Sequence, residues 1–417
     1  MKFFAASGFA FTIACASAFA AADAWPQFRG PGGQGISIAT NVPVEWSSSN
    51  RITWKVAVPG RGWSSPVVAA GKIYLTSAEA SGGPGGISLR ALCFSAADGK
   101  LLWITEVLQP DAASVVALHK KNSQASATPI VTGDRLYVHF GHLGTAALDL
   151  SGKVLWRQTT LNYSPFHGNG GSPELVGDAL VISCDGSTNP IVVALSRQTG
   201  DVRWKTPRVS PVKNRFSFST PLTLEVGGEQ QIISPGSGFV GAYRPADGCE
   251  LWRVNYGEGF SVVPRPVFAH GLVFICTGFN TASLLGIKPA GARGDVTGTN
   301  VAWSHRKGVP TTSSPIVLGD EIYFVSDGGV ATCLNARTGE VYWNERLGGD
   351  FSASPVAAEG RLYFQNETGT GFVLKAGRTF ALLATNNLAE RTLASVVVVD
   401  NALFIRSEAH LWCIGKP

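Results

Sequence analysis

Residues 313–343 read SSPIVLGDEIYFVSDGGVATCLNARTGEVYW. The stretch opens on a Ser-Pro step followed by an apolar run. A turn at Gly319-Asp320 leads into the aromatic run Ile322 to Val325. Small residues then occupy Ala331 to Cys333, and a turn through Thr338-Gly339 leads to Trp343. Short runs with alternation, β-branched residues and Gly/Asp turns between them predict strands joined as hairpins. The stretch therefore reads as four short strands.

The same order recurs along the chain. Its first half returns as SSPVVAAGKIYLT (64–76), SATPIVTGDRLYV (126–138), GGSPELVGDALVI (170–182), PRPVFAHGLVFIC (264–276) and SASPVAAEGRLYF (352–364). A copy with a longer turn runs from Ser219 to Ile233, and the last copy, LASVVVVDNALFI (393–405), lacks the proline. The second half ends on Trp103, Trp156, Trp204, Trp252, Trp303 and Trp343, at spacings of 40 to 53 residues. The seventh unit, FVLKAGRTFALLATN (372–386), has no tryptophan. Repeats of about 40–50 residues with four strands each indicate propeller blades.

The ends of the chain set the count. The last unit starts near Thr392 and has room for three strands before Pro417. Ile52-Thr53-Trp54-Lys55-Val56 is a lone copy of the fourth strand. Pairing it with the last unit closes the ring and hides a sheet edge. The expected fold is all-β, an eight-bladed propeller of four-stranded antiparallel blades closed by the N-terminal strand. The expected organisation is a signal peptide over 1–22, an N-terminal extension over 23–50 and the propeller over 51–417. One tryptophan per blade, each burying roughly 150–250 Å², is expected to wedge between neighbouring blades.

Composition narrows the function classes. Charged residues make up 15% of the chain and the net charge is +5, with no basic run. Nucleic-acid binding needs clustered cations, so it is not expected. Lys2, the apolar residues 3–14 and Ala18-Phe19-Ala20 form an export signal, and no segment is expected to span a membrane. Thr12-Ile13-Ala14-Cys15 is a poor lipobox, so cleavage near Ala20 to Ala22 is favoured over a lipid-anchored Cys15. A periplasmic or extracellular monomer is expected. The other cysteines are Cys93, Cys184, Cys249, Cys276, Cys333 and Cys413, and no spacing among them demands a disulfide. Cys93, Cys333 and Cys413 occupy a small-residue position held elsewhere by Ala147, Ala194 and Ala242.

The units ending Thr199-Gly200 to Trp204 and Thr338-Gly339 to Trp343 resemble the tryptophan-docking, PQQ-like repeats of quinoprotein dehydrogenases. The opening Trp25-Pro26-Gln27-Phe28-Arg29-Gly30-Pro31 and the phrase Gly60-Arg61-Gly62-Trp63-Ser64-Ser65-Pro66 are similar to secreted bacterial, BamB-like members of that family. The resemblance covers about residues 25–415. It implies the fold and leaves activity open, because propellers host unrelated functions. In the dehydrogenases it implies a quinone on a Trp platform, an adjacent-cysteine disulfide, Ca²⁺ held by Glu, Asn and Asp, and an Asp base. This chain has no adjacent cysteine pair and no haem signature.

Other catalytic motifs (GxSxG, HExxH, a Walker loop) are missing from the sequence. His139 and His142 alone make a poor metal site. Asp185, Asp327 and Glu367 follow equivalent aromatic strands, where acids cap tight turns or hold Ca²⁺. No metal site and no catalytic residue is assigned. The loops entering the innermost strands converge on the channel mouth and carry Arg61, Trp63, Asn122, Gln124, His167, Asn169, Arg215, Arg265, Asp350 and Arg391. Their cationic excess favours an anionic small molecule or a glycan. The expected function is a non-catalytic binding or assembly scaffold, without a cofactor, whose partner is that ligand or a protein. The alternatives are a PQQ- and Ca²⁺-dependent sugar or alcohol dehydrogenase and a β-barrel assembly factor of the outer membrane.

Overall fold

The computed structural model describes residues 24–416 apart from 85, 162 and 211. The expected signal peptide and Cys15 lie outside the described residues. Eight sheets are arranged in a ring, and five of them are built from four consecutive strands. Blade 1 consists of Val67–Ala69, Lys72–Ala80, Ile87–Ser95 and Leu101–Leu108. Blades 2 to 7 begin at Ile130, Glu174, Leu222, Val267, Ile316 and Val356. Blade 8 takes Val397–Val399, Asn401–Arg406 and His410–Lys416 from the C-terminal end, and its fourth strand is Ile52–Ala57. That strand runs antiparallel to His410–Lys416, with Trp54 opposite Cys413 and Val56 opposite Leu411. The first strands of blades 1 and 2, of blades 3 and 4, and of blades 5 to 8 in turn pack on one another around the axis.

A small residue on the third strand faces the outer-strand tryptophan across the sheet. The pairs are Cys93–Trp103, Ala147–Trp156, Ala194–Trp204, Ala242–Trp252, Gly286–Trp303, Cys333–Trp343 and Cys413–Trp54. A bulky residue there would displace the indole. These cysteines are free and buried, as small apolar residues would be.

Six of the indoles donate to a backbone carbonyl of the next blade. They are Trp54 to Ala96 (3.0 Å), Trp103 to Leu150 (3.2 Å), Trp156 to Arg197 (3.2 Å), Trp204 to Pro245 (2.9 Å), Trp303 to Ala336 (3.1 Å) and Trp343 to Gly377 (3.0 Å). Each bond adds about 0.5–1.5 kcal/mol to the burial of the ring. Trp252 departs from this pattern. It packs between blades 4 and 5, but its N–H goes to Gln231 of its own blade (2.9 Å). Blade 5 carries an insertion, residues 288–300, between its last two strands, Leu284–Ile287 and Val301–His305. Gly294–Asp295 pairs in parallel with the outer strand Glu250–Asn255, giving blade 4 a fifth strand over the indole.

Blade 7 has Ala384 at the tryptophan position, opposite Val373. Trp46 of the N-terminal segment supplies the missing ring. It stacks on Tyr363 of blade 7, and its backbone N–H donates to Asn386 Oδ1 (2.7 Å). Asn386 Nδ2 in turn donates to Val44 O (3.0 Å).

Candidate functional site

The Ser/Thr-Pro steps of the repeat become one physical object. At each step the backbone N–H of one blade donates to the hydroxyl of the next. The bonds run Ser65 to Thr128 (3.0 Å), Thr128 to Ser172 (2.9 Å) and Ser172 to Thr220 (2.9 Å). They resume from Arg265 to Ser314 (2.9 Å), Ser314 to Ser354 (3.0 Å), Ser354 to Ser395 (2.9 Å) and Ser395 to Ser65 (3.1 Å). Pro follows at every step but Ser395-Val396 and has no N–H, so the step is held by this side-chain acceptor. The ring is interrupted at Arg265, which stands where the other blades carry Ser or Thr.

Residues 25–37 close the channel below this ring. Trp25 exchanges two backbone bonds with Val68, and Pro26 O accepts from Val131 N–H (2.8 Å). Gly35 O accepts from Ala357 N–H (2.9 Å), and Gln34 Oε1 from Phe268 N–H (3.1 Å). The segment is thus tied to blades 1, 2, 5 and 7. Gly30 has φ of +69°, and a Cβ there would meet the Trp25 ring at 2.6 Å, so the tight turn requires glycine. Arg29 is buried and donates to Pro315 O (2.8 Å) and Pro355 O (3.2 Å). Burial, with the nearby Arg265 charge, pulls its guanidinium down to about 9. Arg265 donates to Phe28 O (2.7 Å) and forms a buried ion pair with Glu174 across the channel (2.6 Å). Burial pushes the Glu174 carboxyl up, against the pull of Arg265.

Above this floor lies a cavity of ≈ 530 Å³. Phe28 and the hydroxyls of Ser65, Thr128, Ser172, Thr220, Ser354 and Ser395 line its lower part. One wall is aromatic: Phe216 contacts Phe218 (6.0 Å between centroids), Phe260 (5.4 Å) and His167 (5.7 Å). The opposite side carries Trp63, Thr311, Thr312, Asp327 and Ser352. Asp327 is the carboxylate of the lining. It accepts from the N–H groups of Thr311 (3.1 Å) and Thr312 (3.2 Å) and from the Thr311 hydroxyl. It therefore acts as a loop cap.

Residues 119–122 cross the mouth as a strap. Asn122 Nδ2 donates to His167 O on one side (2.8 Å). On the other, Lys121 pairs with Glu367 (2.6 Å), and Arg391 donates to Lys120 O (3.3 Å). The His119 and His167 rings meet edge to face at 5.3 Å. Burial, aided by His119, lowers the pKa of His167.

The structure brings Trp63, Asn122 and His167 into the lining. Arg391 stands over the Trp63 ring at 5.5 Å and is paired with Glu408, so it buttresses the indole. Asn169 braces a loop, accepting from the Tyr163 hydroxyl and donating to Gly171 O. Arg61 and Arg215 are exposed and Gln124 is half-buried, all three outside the lining. Asp350 is exposed in a shallow groove beside Glu367 and Arg391. Arg265 is buried below the cavity. The cations anticipated at the mouth are thus dispersed, because side chains from adjacent loops point along, out of and beneath the channel. The phenylalanine wall and the floor segment were not foreseen. The hydroxyl ring had a visible signal, the Ser or Thr that precedes Pro in six of the eight units.

The geometry tests the quinone arrangement. Among the described residues no three His, Cys, Asp or Glu side chains are grouped to hold a metal ion, and every cysteine is single. Asp327 is already occupied by the Thr311–Thr312 loop. Among the residues lining the cavity Asp327 is the one carboxylate, so a Ca²⁺ held by Glu, Asn and Asp finds a single acidic ligand there.

A family model described as outer membrane protein assembly factor BamB matches residues 39–170, 86–232, 164–330 and 292–406. The chain belongs to this PQQ-like propeller family. Solved structures share its fold. BamB from Moraxella catarrhalis is 14% identical with a TM-score of 0.60, covering 87% of this chain and 96% of that one. A europium-containing methanol dehydrogenase is 11% identical with a TM-score of 0.69, covering 94% and 90%. The quinohemoprotein alcohol dehydrogenase ADHIIG from Pseudomonas putida HK5 is 12% identical with a TM-score of 0.62, covering 95% and 81%. At these identities the likeness is one of fold. No curated protein sequence matches the chain. No helix among the described residues is long and apolar enough to cross a membrane.

Proposed function

We propose that this chain is an exported, non-catalytic binding propeller whose central cup takes a small ligand. One observation carries the reading. The cup has a closed floor, a strap across its mouth, an apolar wall and convergent polar groups, within the size range of small-molecule sites. Its charged groups support binding over catalysis, since Lys121 and Asp327 are already engaged in structural contacts. Export rests on the leader in residues 1–22 and agrees with the outer-membrane description of the family.

The test is calorimetry on the mature chain with uronic-acid oligosaccharides, decanoate and PQQ plus Ca²⁺, beside a dye-reduction assay. Binding of at least one probe without turnover supports the reading. Silence from all three, with no density in the cup of soaked crystals, removes it. Dye reduction with PQQ would replace it with the dehydrogenase reading.

A second reading, a factor in outer-membrane β-barrel assembly, is favoured by the family description. It predicts that the tagged protein co-purifies with outer-membrane assembly components. Their absence from the purified material counts against it.

A further inference from the structure

The hydroxyl ring shows which end of a ligand would sit deepest in the cup. An oxygen that accepts an N–H keeps its own proton to donate elsewhere. The hydroxyls of Ser65, Thr128, Ser172, Thr220 and Ser395 each accept the preceding blade's N–H. None of the five protons has an acceptor among the described residues, whereas Ser354 donates to Ser314 (3.0 Å). All five residues are at least nine-tenths buried, and all five line the cavity. Donors gathered this way at the bottom of a closed cup call for an acceptor-rich group.

Charge selects among acceptors. Just below the ring lie two buried guanidiniums, Arg29 and Arg265, with one buried carboxylate, Glu174. The floor is therefore one positive charge in excess, in a setting with little water to screen it. Above it, Phe216, Phe218 and Phe260 offer an apolar wall with no hydrogen-bonding group on their side chains. A hydroxyl-rich sugar would bring donors as well as acceptors against that wall and against an occupied Asp327. An oxyanion on an apolar body satisfies both ends.

We propose that the cup binds an anionic amphiphile, its oxyanion seated on the hydroxyl ring and its apolar body against the phenylalanine wall. This rests on the cup being a ligand site, and it narrows the ligand to that class.

The probes are decanoate and 1-decanol, which share a chain and differ in the head. Calorimetry on the unaltered mature chain is expected to show decanoate binding at least ten-fold more tightly. Thr220→Val removes one ring hydroxyl and is expected to weaken decanoate several-fold while leaving decanol unchanged. Phe216→Ala is expected to weaken both. Equal affinities for the two probes, or a Phe216→Ala variant that weakens neither, overturn the proposal. If uronic-acid oligosaccharides bind and decanoate has no advantage over decanol, the amphiphile inference fails and the cup reading stands. If no probe binds, the cup reading falls first. Thr220→Val also strands the Ser172 N–H and so lowers stability. The two-probe comparison on the unaltered chain decides the matter without it.

Discussion

Trp46 stacks on Tyr363 with ring centroids 6.5 Å apart and planes 21° from parallel, although 317 positions separate them. Elsewhere in the ring the equivalent tyrosine meets the outer-strand tryptophan of its own blade, as in Tyr74–Trp103, Tyr137–Trp156 and Tyr323–Trp343. Blade 7 lacks that tryptophan and receives one from the segment before the first strand. The N-terminal extension is thus part of the blade's packing as well as the floor of the channel.

Trp46→Ala should cost about 3–5 kcal/mol, the range for emptying a buried aromatic site. Trp46→Phe should cost much less, because the Trp46 indole N–H is buried with no partner among the described residues. Trp343→Phe should cost more than Trp46→Phe, because it also loses the bond to Gly377. Urea denaturation of the three variants checks this. A Trp46→Ala cost below 1 kcal/mol would show that blade 7 does not depend on the extension.

Gly200 has φ of +79°, and a Cβ on it would lie 2.5 Å from the Trp156 ring. Gly200→Ala should therefore combine backbone strain of about 1–2 kcal/mol with displacement of the indole. Gly177 has φ of +57° and open space around it. Gly177→Ala should show the backbone cost alone. Equal losses at the two sites, measured by thermal melts, would remove the docking argument.

Arg265→Met strands the Glu174 carboxylate in the interior and should cost about 3–5 kcal/mol. The double variant Arg265→Met, Glu174→Met should be more stable than Arg265→Met alone, because no uncompensated charge remains. Denaturation of both proteins at neutral pH tests the order. A double variant weaker than the single would mean that the pair is needed for more than charge balance.

His139 is fully buried, with Nδ1 against the Thr145 hydroxyl at 2.8 Å. Burial, with His142 nearby, lowers its pKa from 6.5 to about 3. The unfolded chain binds the proton first, so stability is fully present above pH 6.5 and is lost as the pH falls toward 3. From this group alone the slope approaches ~1.4 kcal/mol per pH unit within that window. His139→Gln should flatten the acid limb of a plot of stability against pH. An unchanged slope would mean that other groups set the acid limb.

Much of the architecture was legible in residues 52–416 because the signal is periodic. The Ser/Thr-Pro step, the turn glycines and the outer-strand tryptophans repeat at nearly constant spacing, and the lone strand at Ile52–Ala57 announces how the ring closes. The small residue opposite each tryptophan was legible too, since its place in the repeat sets its cross-strand partner. The candidate site was legible only in outline. Trp63, Asn122 and His167 lie where the loop argument placed them, but Arg265 turned inward and Arg391 became a buttress. The cup also takes Phe28, Phe216, Phe260 and Asp327 from four separate segments.

Local pattern therefore determined the strands, the blade and the number of blades, because hairpin register and side-chain alternation act over a few residues. Tertiary structure decided what the blades enclose. Ser395 bonds to Ser65, and Arg29 to Pro355, across more than 300 positions. Such contacts arise only when the closed ring brings every loop to one axis. There, space and charge balance choose which side chains face the cavity and which are buried beneath it.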